Sequence, residues 1–210
     1  LLPPAKASGF PPLNYSMNNP VVKIFWSGGW DSTFELCRLS LKPVTIQPVY
    51  IIFDRPFHTG QKYEREAQKK ILALLKNRST TKATILPTVC IKANKIVIPK
   101  HIRESFERLL TTFDKISEQW LYLASYAHTH PGMRVMVSDI EHSSGRVARL
   151  LRQCVRKADE DGVVSLIKKG SQADAFNFFG KEFFPIGTIT QNDVVKWIDD
   201  NKFWDVMRHS

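Results

Sequence analysis

Apolar and polar positions change period several times along the chain. VVKIFW (21–26) is a short β-branched and aromatic run that predicts a buried strand. TFELCRLSL (33–41) then sets Phe34, Leu36, Cys37 and Leu41 at helical spacing, and Lys42-Pro43 ends the helix. PVYIIFD (48–54) predicts a second strand closing on Asp54. QKYEREAQKKILALLKN (61–77) predicts an amphipathic helix with Ala67, Ile71, Leu74 and Leu75 inward. ATILPTVCI (83–91) reads as a third strand, at an edge or irregular because Pro87 cannot donate to a ladder. From about 99 to 130 the pattern is helical, first with Ile102, Phe106, Leu109 and Leu110 on one face. Trp120, Leu121, Leu123, Ala124 and Ala127 continue it until Pro131-Gly132. MRVMVSD (133–139) predicts a fourth strand, and HSSGRVARLLRQCVRKA a helix starting near Ser144. FFPIGTITQNDVVKWIDDN predicts a short apolar segment and a helix capped near Thr190, with Asp193 in its first turn.

Strands alternating with helices imply βαβ units. The expected fold is therefore α/β, a doubly wound parallel sheet with helices on both faces. With 210 residues, 43% of them hydrophobic, the chain can bury one full core. Residues 1–18, with Pro3, Pro4, Pro11 and Pro12, read as an extended tail, and 19–210 as one domain. In such sheets ligands bind beyond the carboxyl ends of the strands. Ser27–Thr33, Asp54 with its loop, and Ser138-Asp139 all fall there.

Charge narrows the partners. A formal net charge of +10 and a sequence pI of about 9.6 favour nucleotides, nucleic acid or an acidic protein. No Lys/Arg run is dense enough for a nucleic-acid tail, so nucleic acid is the lesser expectation. Cys37, Cys90 and Cys154 are far apart and odd in number, which excludes a disulfide framework or a zinc knuckle within these residues. They fit a reducing, cytoplasmic setting. No apolar stretch approaches the roughly 20 residues that cross a membrane, and the N-terminal residues do not read as a signal peptide.

The candidate chemistry starts at FWSGGWDST (25–33). Gly28 and Gly29 allow a tight turn and close backbone approach to an anion. The helix behind them offers unpaired N–H groups and a positive dipole end, and Ser27, Ser32 and Thr33 add hydroxyls. Asp31 beside a phosphate calls for a bound Mg²⁺ or a capping role. The plain alternative is a strand-to-helix turn capped by Asp31. A Walker A loop is absent. The segment resembles the S-G-G-x-D-S signature of the PP-loop ATP pyrophosphatases, which cleave ATP between the α- and β-phosphates. IIFDRPFHTGQKYEREAQ resembles the 7-cyano-7-deazaguanine synthase family, with Asp54, Gly60, Gln61, Lys62, Glu64 and Glu66 in matching places. MVSD (136–139) and FFPIGTITQNDVV resemble that family's later strand and last helix start, so the likeness runs over roughly residues 20–208.

The resemblance implies an adenine nucleotide alpha hydrolase-like, Rossmann-like fold. It also implies an ATP-dependent C–N ligase that adenylates 7-carboxy-7-deazaguanine on the way to amide and nitrile. By that likeness Asp31, Ser32 and Lys62 are catalytic. ATP is held by Ser27, Gly28, Gly29, Asp31, Ser32, Thr33, Phe53 and Asp54, with Mg²⁺ reaching Asp31 through the nucleotide. Gln61, Ser138, Asp139 and Arg146 meet the substrate, and Lys62, Arg146 and Arg149 are candidates to offset charge. The chain departs from the family at Glu118-Gln119, where Arg-Asn is usual, and at Gln191, where Lys is usual. Zinc is expected of the family, yet residues 1–210 hold no ligand set for it. Expected partners are a small 7-deazapurine carboxylate, with a protein acceptor or a second copy (a homodimer) as further candidates, and no membrane. One alternative is a divergent relative of an anti-phage defence system that conjugates the activated group to a protein. Another is a tRNA-modifying PP-loop enzyme, which would need Cys90 and Cys154 to meet, and a last is a non-enzymatic nucleotide-binding subunit. Trp26 is expected in the core. Trp30 either covers the nucleotide or packs, and the run Phe176, Phe178, Phe179, Phe183 and Phe184 forms either core or an aromatic wall.

Overall fold

A computed structural model describes residues 20–53, 60–113 and 115–210. Its elements are β1 (Val21–Phe25), α1 (Trp30–Ser40), β2 (Thr45–Ile52), α2 (Gly60–Asn77), β3 (Thr84–Ile85) and β4 (Val89–Lys92). A single 3₁₀ turn, α3 (Lys100–Thr112), α4 (Gln119–Thr129) and β5 (Met133–Arg134) follow. The chain continues with α5 (Arg146–Arg152), β6 (Arg156–Ala158), β7 (Val164–Leu166), α6 (Ala173–Phe179) and β8 (Glu182–Phe184). It closes with α7 (Gln191–Asn201) and α8 (Trp204–Met207).

The protein is α/β, with a mostly parallel mixed sheet in the order β3-β2-β1-β5-β8-β7-β6 and β4 also paired to β2. Alternation along β1 splits the core in two. Ile24 and Trp26 face α1, α2, α7 and α8, while Phe25 faces the side covered by α3 to α6. The chain runs outward from β1 through β2 to β3 and β4, then returns to place β5 on the other side of β1. The crevice between the ends of β1 and β5 is thus a topological switch point, where such sheets bind ligands.

Three sequence expectations are corrected. The sheet is not parallel throughout, because β7 runs antiparallel to both β6 and β8. Only a tight hairpin joins β6 to β7, and parallel pairing would need a long crossover. Gly162, at φ +77°, makes that turn, and Asp159 Oδ1 accepts from the N–H of Asp161 at 3.0 Å and of Val163 at 2.8 Å. The helix expected through residue 158 stops at Arg152, and Arg156–Ala158 become a strand. The Arg156 guanidinium donates to Leu151 O at 2.5 Å and satisfies a carbonyl at the helix end. Finally, Pro87 divides the third strand into two short pieces, β3 and β4.

Candidate nucleotide site

The break after β1 is held from both sides. The Trp26 N–H donates to Val49 O at 2.8 Å in β2, and the Trp26 carbonyl accepts from Gln68 Nε2 of α2 at 3.1 Å. Gly28 then turns at φ +88°, and a Cβ there would lie 3.2 Å from Gln68 Cγ and 3.4 Å from the Glu64 carbonyl oxygen. Both the backbone angle and the close approach therefore call for glycine. Gly28→Ala is expected to lower the unfolding free energy by about 1 kcal/mol, measured by urea denaturation. Unchanged stability would contradict the geometry.

Helix α1 starts at Trp30, with Gly29 as an N-cap residue that has no side-chain bond to the helix. Asp31 therefore sits inside the first turn and does not cap it, which removes the plain capped-turn alternative for this residue. Its half-buried carboxylate instead accepts from the side chains of Gln191 and Ser138. Burial raises its pKa above the ordinary 3.8, and those two hydrogen bonds pull it back down. Three sequentially remote segments, the starts of α1 and α7 and the end of the β5 strand region, thus meet at one carboxylate.

Two cavities flank the loop. The first, about 210 Å³, is lined by Ser27, Ser32, Tyr50, Phe53, Gln61, Glu64 and Gln119 among a mainly apolar and aromatic wall. The second, about 320 Å³, is lined by Asp31, Lys115, Ser117, Ser138, Ser143 and Arg146. Trp120 and Met136 line both and form the partition between them. In the first, the Tyr50 hydroxyl donates to Glu64 Oε2, and burial followed by that bond pushes the phenol's pKa up.

Compared with protein-family models and with curated proteins, the chain gives no match.

The structure gathers most of the residues singled out in the sequence, but not all. Ser27, Ser32, Phe53 and Gln61 share the first cavity, and Asp31, Ser138 and Arg146 the second. Thr33 points elsewhere. It is fully buried and its hydroxyl accepts from Trp26 Nε1 at 3.2 Å, so it braces the strand-helix junction. Asp139 is committed to a turn at φ +44°, where Oδ1 accepts from the His142 N–H at 3.2 Å and lies 2.8 Å from Nδ1. Lys62 and Arg149 are exposed and line neither cavity. Asp54 lies outside the described residues.

Trp30 packs against Trp204, ring centroids 6.0 Å apart, and lines neither cavity. Phe178, Phe179 and Phe184 are core, so the aromatic-wall reading has no support in their positions. Cys90 is on β4 and Cys154 precedes β6, at opposite ends of the sheet, which separates the pair a thiolating enzyme would need. Sequence reasoning did not assign Tyr50, Lys115, Trp120 or Met136 to a site. Their only signal was position near strand ends and helix starts.

For Mg²⁺, the fitting donor is the half-buried Asp31 carboxylate, with phosphate oxygens completing the shell; Ser32 opens to the other cavity and its hydroxyl donates to Gly29 O at 3.1 Å. Among the described residues no three or more His, Cys, Asp and Glu converge, so nothing there suits zinc. No described helix is long and apolar enough to cross a membrane.

Proposed function

We propose that the protein is an ATP-dependent adenylating enzyme of the PP-loop type, on an adenine nucleotide alpha hydrolase-like fold, acting on a small carboxylate. One observation carries this reading. A single glycine turn opens onto two separate cavities, its serines to one and its aspartate to the other. A reaction that joins a nucleotide phosphate to a second small molecule needs that arrangement. The aromatic first cavity suits the nucleoside, with Phe53, Gln61 and Tyr50 around it. The second cavity suits the carboxylate, with Arg146 and Lys115 at its rim to offset charge.

In the proposed step a substrate carboxylate oxygen attacks the α-phosphorus, the bond to the β-phosphate bridging oxygen breaks, and pyrophosphate leaves. The Gly28-Gly29 turn and the first N–H groups of α1 receive the departing charge. Mg²⁺, when bound with ATP at Asp31, would neutralise the phosphates. Gln191 and Ser138 hold that carboxylate ionised and oriented. Trp120 and Met136 keep water from the acyl adenylate while ammonia displaces AMP to form the amide. 7-Carboxy-7-deazaguanine is the substrate that the sequence likeness favours.

The test is the product of ATP turnover. With Mg²⁺, labelled ATP and 7-carboxy-7-deazaguanine, substrate-dependent AMP and pyrophosphate are expected, with amide or nitrile seen by mass spectrometry. ADP as the product, or tight ATP binding without turnover, would overturn adenylation.

A further inference from the structure

The sheet face that carries α1, α2, α7 and α8 is packed over the β1 to β4 half. Farther along, no helix among the described residues packs on the same face. Register sets Lys157, Ser165 and Phe183 side by side across β6, β7 and β8, on the side of Arg134 and Ile24. Alternation adds Val155 and Ile167, joined by an Ile167 N–H to Val155 O bond of 2.8 Å. Val155, Ile167 and Phe183 are 42%, 38% and 41% exposed, whereas Val164, Leu166 and Phe184 on the opposite face are buried. A solvent-facing sheet surface would be polar at those three positions.

Lysines surround the apolar residues. Lys157 and Lys181 alternate with them along the strands, and Lys168 and Lys169 follow Ile167; all four are exposed. Of the nearby acids, Glu160 in the β6–β7 turn is exposed, and three are engaged elsewhere. Asp161 pairs with Lys42 at 2.7 Å, Asp159 caps its own turn, and Glu141 pairs with Arg156. The border of this face is also open, since β6 ends the sheet. Lys157 and Asp159 direct their backbone groups to the β7 side, as does the Val155 carbonyl, while the Val155 N–H donates to Ser171 Oγ at 2.9 Å; Arg156 and Ala158 thus point theirs outward.

We propose that this face and edge dock an acidic protein segment bearing an apolar stripe, a partner that covers Val155, Ile167 and Phe183 and neutralises the lysines. A second copy fits poorly, because two such faces would oppose lysine to lysine. Single-stranded RNA would find one ring and two aliphatic side chains, a weak stacking platform. None of these residues lines either cavity.

The test titrates the full chain into three labelled probes: a short peptide alternating Glu and Val, the same peptide with Lys for Glu, and oligouridine. Sedimentation of the chain alone reports self-association. Binding to the acidic peptide is expected, weakening with salt. Phe183→Asp should weaken it about thirtyfold, as for the anchor of an interface, and the pair Lys157→Glu, Lys181→Glu about tenfold. The lysine variants sit on exposed positions and keep the test valid if Phe183→Asp does not fold. Preference for oligouridine, a dimer broken by the same substitutions, no binding, or acidic-peptide binding that the substitutions leave unchanged would each overturn the proposal.

Discussion

Asp31→Asn is expected to cut AMP formation by about 10²–10³-fold, the usual cost of removing one charge-stabilising group from a reacting phosphate or acyl centre. The substitution keeps the size of the side chain and its capacity to bond Gln191 and Ser138, so the melting temperature should hold while turnover falls. A rise confined to KM for ATP would instead place Asp31 in ground-state binding. The pH profile gives a second readout. The ionised carboxylate is the form that contacts Mg²⁺, so activity should rise with pH through the Asp31 pKa. Burial, the largest influence, raises that pKa above 3.8, which moves the acid limb above the range of an exposed aspartate. Gln191→Leu removes a hydrogen bond that favours the ionised form, so the acid limb should move higher still. An acid limb indifferent to Gln191 would exclude Asp31 as the titrating group.

The loop was legible in the sequence because its demands are local. Ser27-Gly28-Gly29 after a β-branched run specifies a turn whatever surrounds it, and the left-handed Gly28 follows from residue type. Ser138 was legible as a strand end and, by resemblance, a substrate contact, and Gln191 as a helix start where the family usually has Lys, but neither as a neighbour of Asp31. That both reach Asp31 depends on β5 pairing with β1 and on α7 beginning just after β8, which is long-range information. The second half of the sheet was misread for a similar reason. RVARLLRQCVRKA keeps helical spacing past Arg152, while the deciding signal is downstream, in the turn residues Asp159-Glu160-Asp161-Gly162 between two short apolar runs. Lys62 is a different case. Its neighbours Gln61 and Glu64 line the first cavity, but one helical position around α2 turns Lys62 to solvent.

Glu182→Met is expected to stabilise the fold by about 3 kcal/mol at pH 8, the upper range for relieving a buried polar group without a partner. Glu182 lies on β8 at 2% exposure, opposite Met133, and neither carboxyl oxygen has a hydrogen bond among the described residues. Glu35 is as deeply buried but differs in kind, since Arg134 reaches Oε1 at 2.5 Å and Arg38 reaches Oε2 at 3.3 Å. Burial alone therefore raises the Glu182 pKa well above the ordinary 4.5. In the unfolded chain the group loses its proton near 4.5, while the native state holds it. Its contribution is fully present below about 4.5 and is lost as pH rises through the folded pKa. The stability gap between Glu182→Met and the parent protein should thus widen from acid to alkaline pH in paired denaturation curves. Glu182→Gln separates the causes: it removes the pH dependence but leaves a buried polar group, so it should fall between the two at pH 8. A gap that stays constant with pH, or a methionine variant less stable throughout, would show that Glu182 is held by a partner rather than stranded in the core.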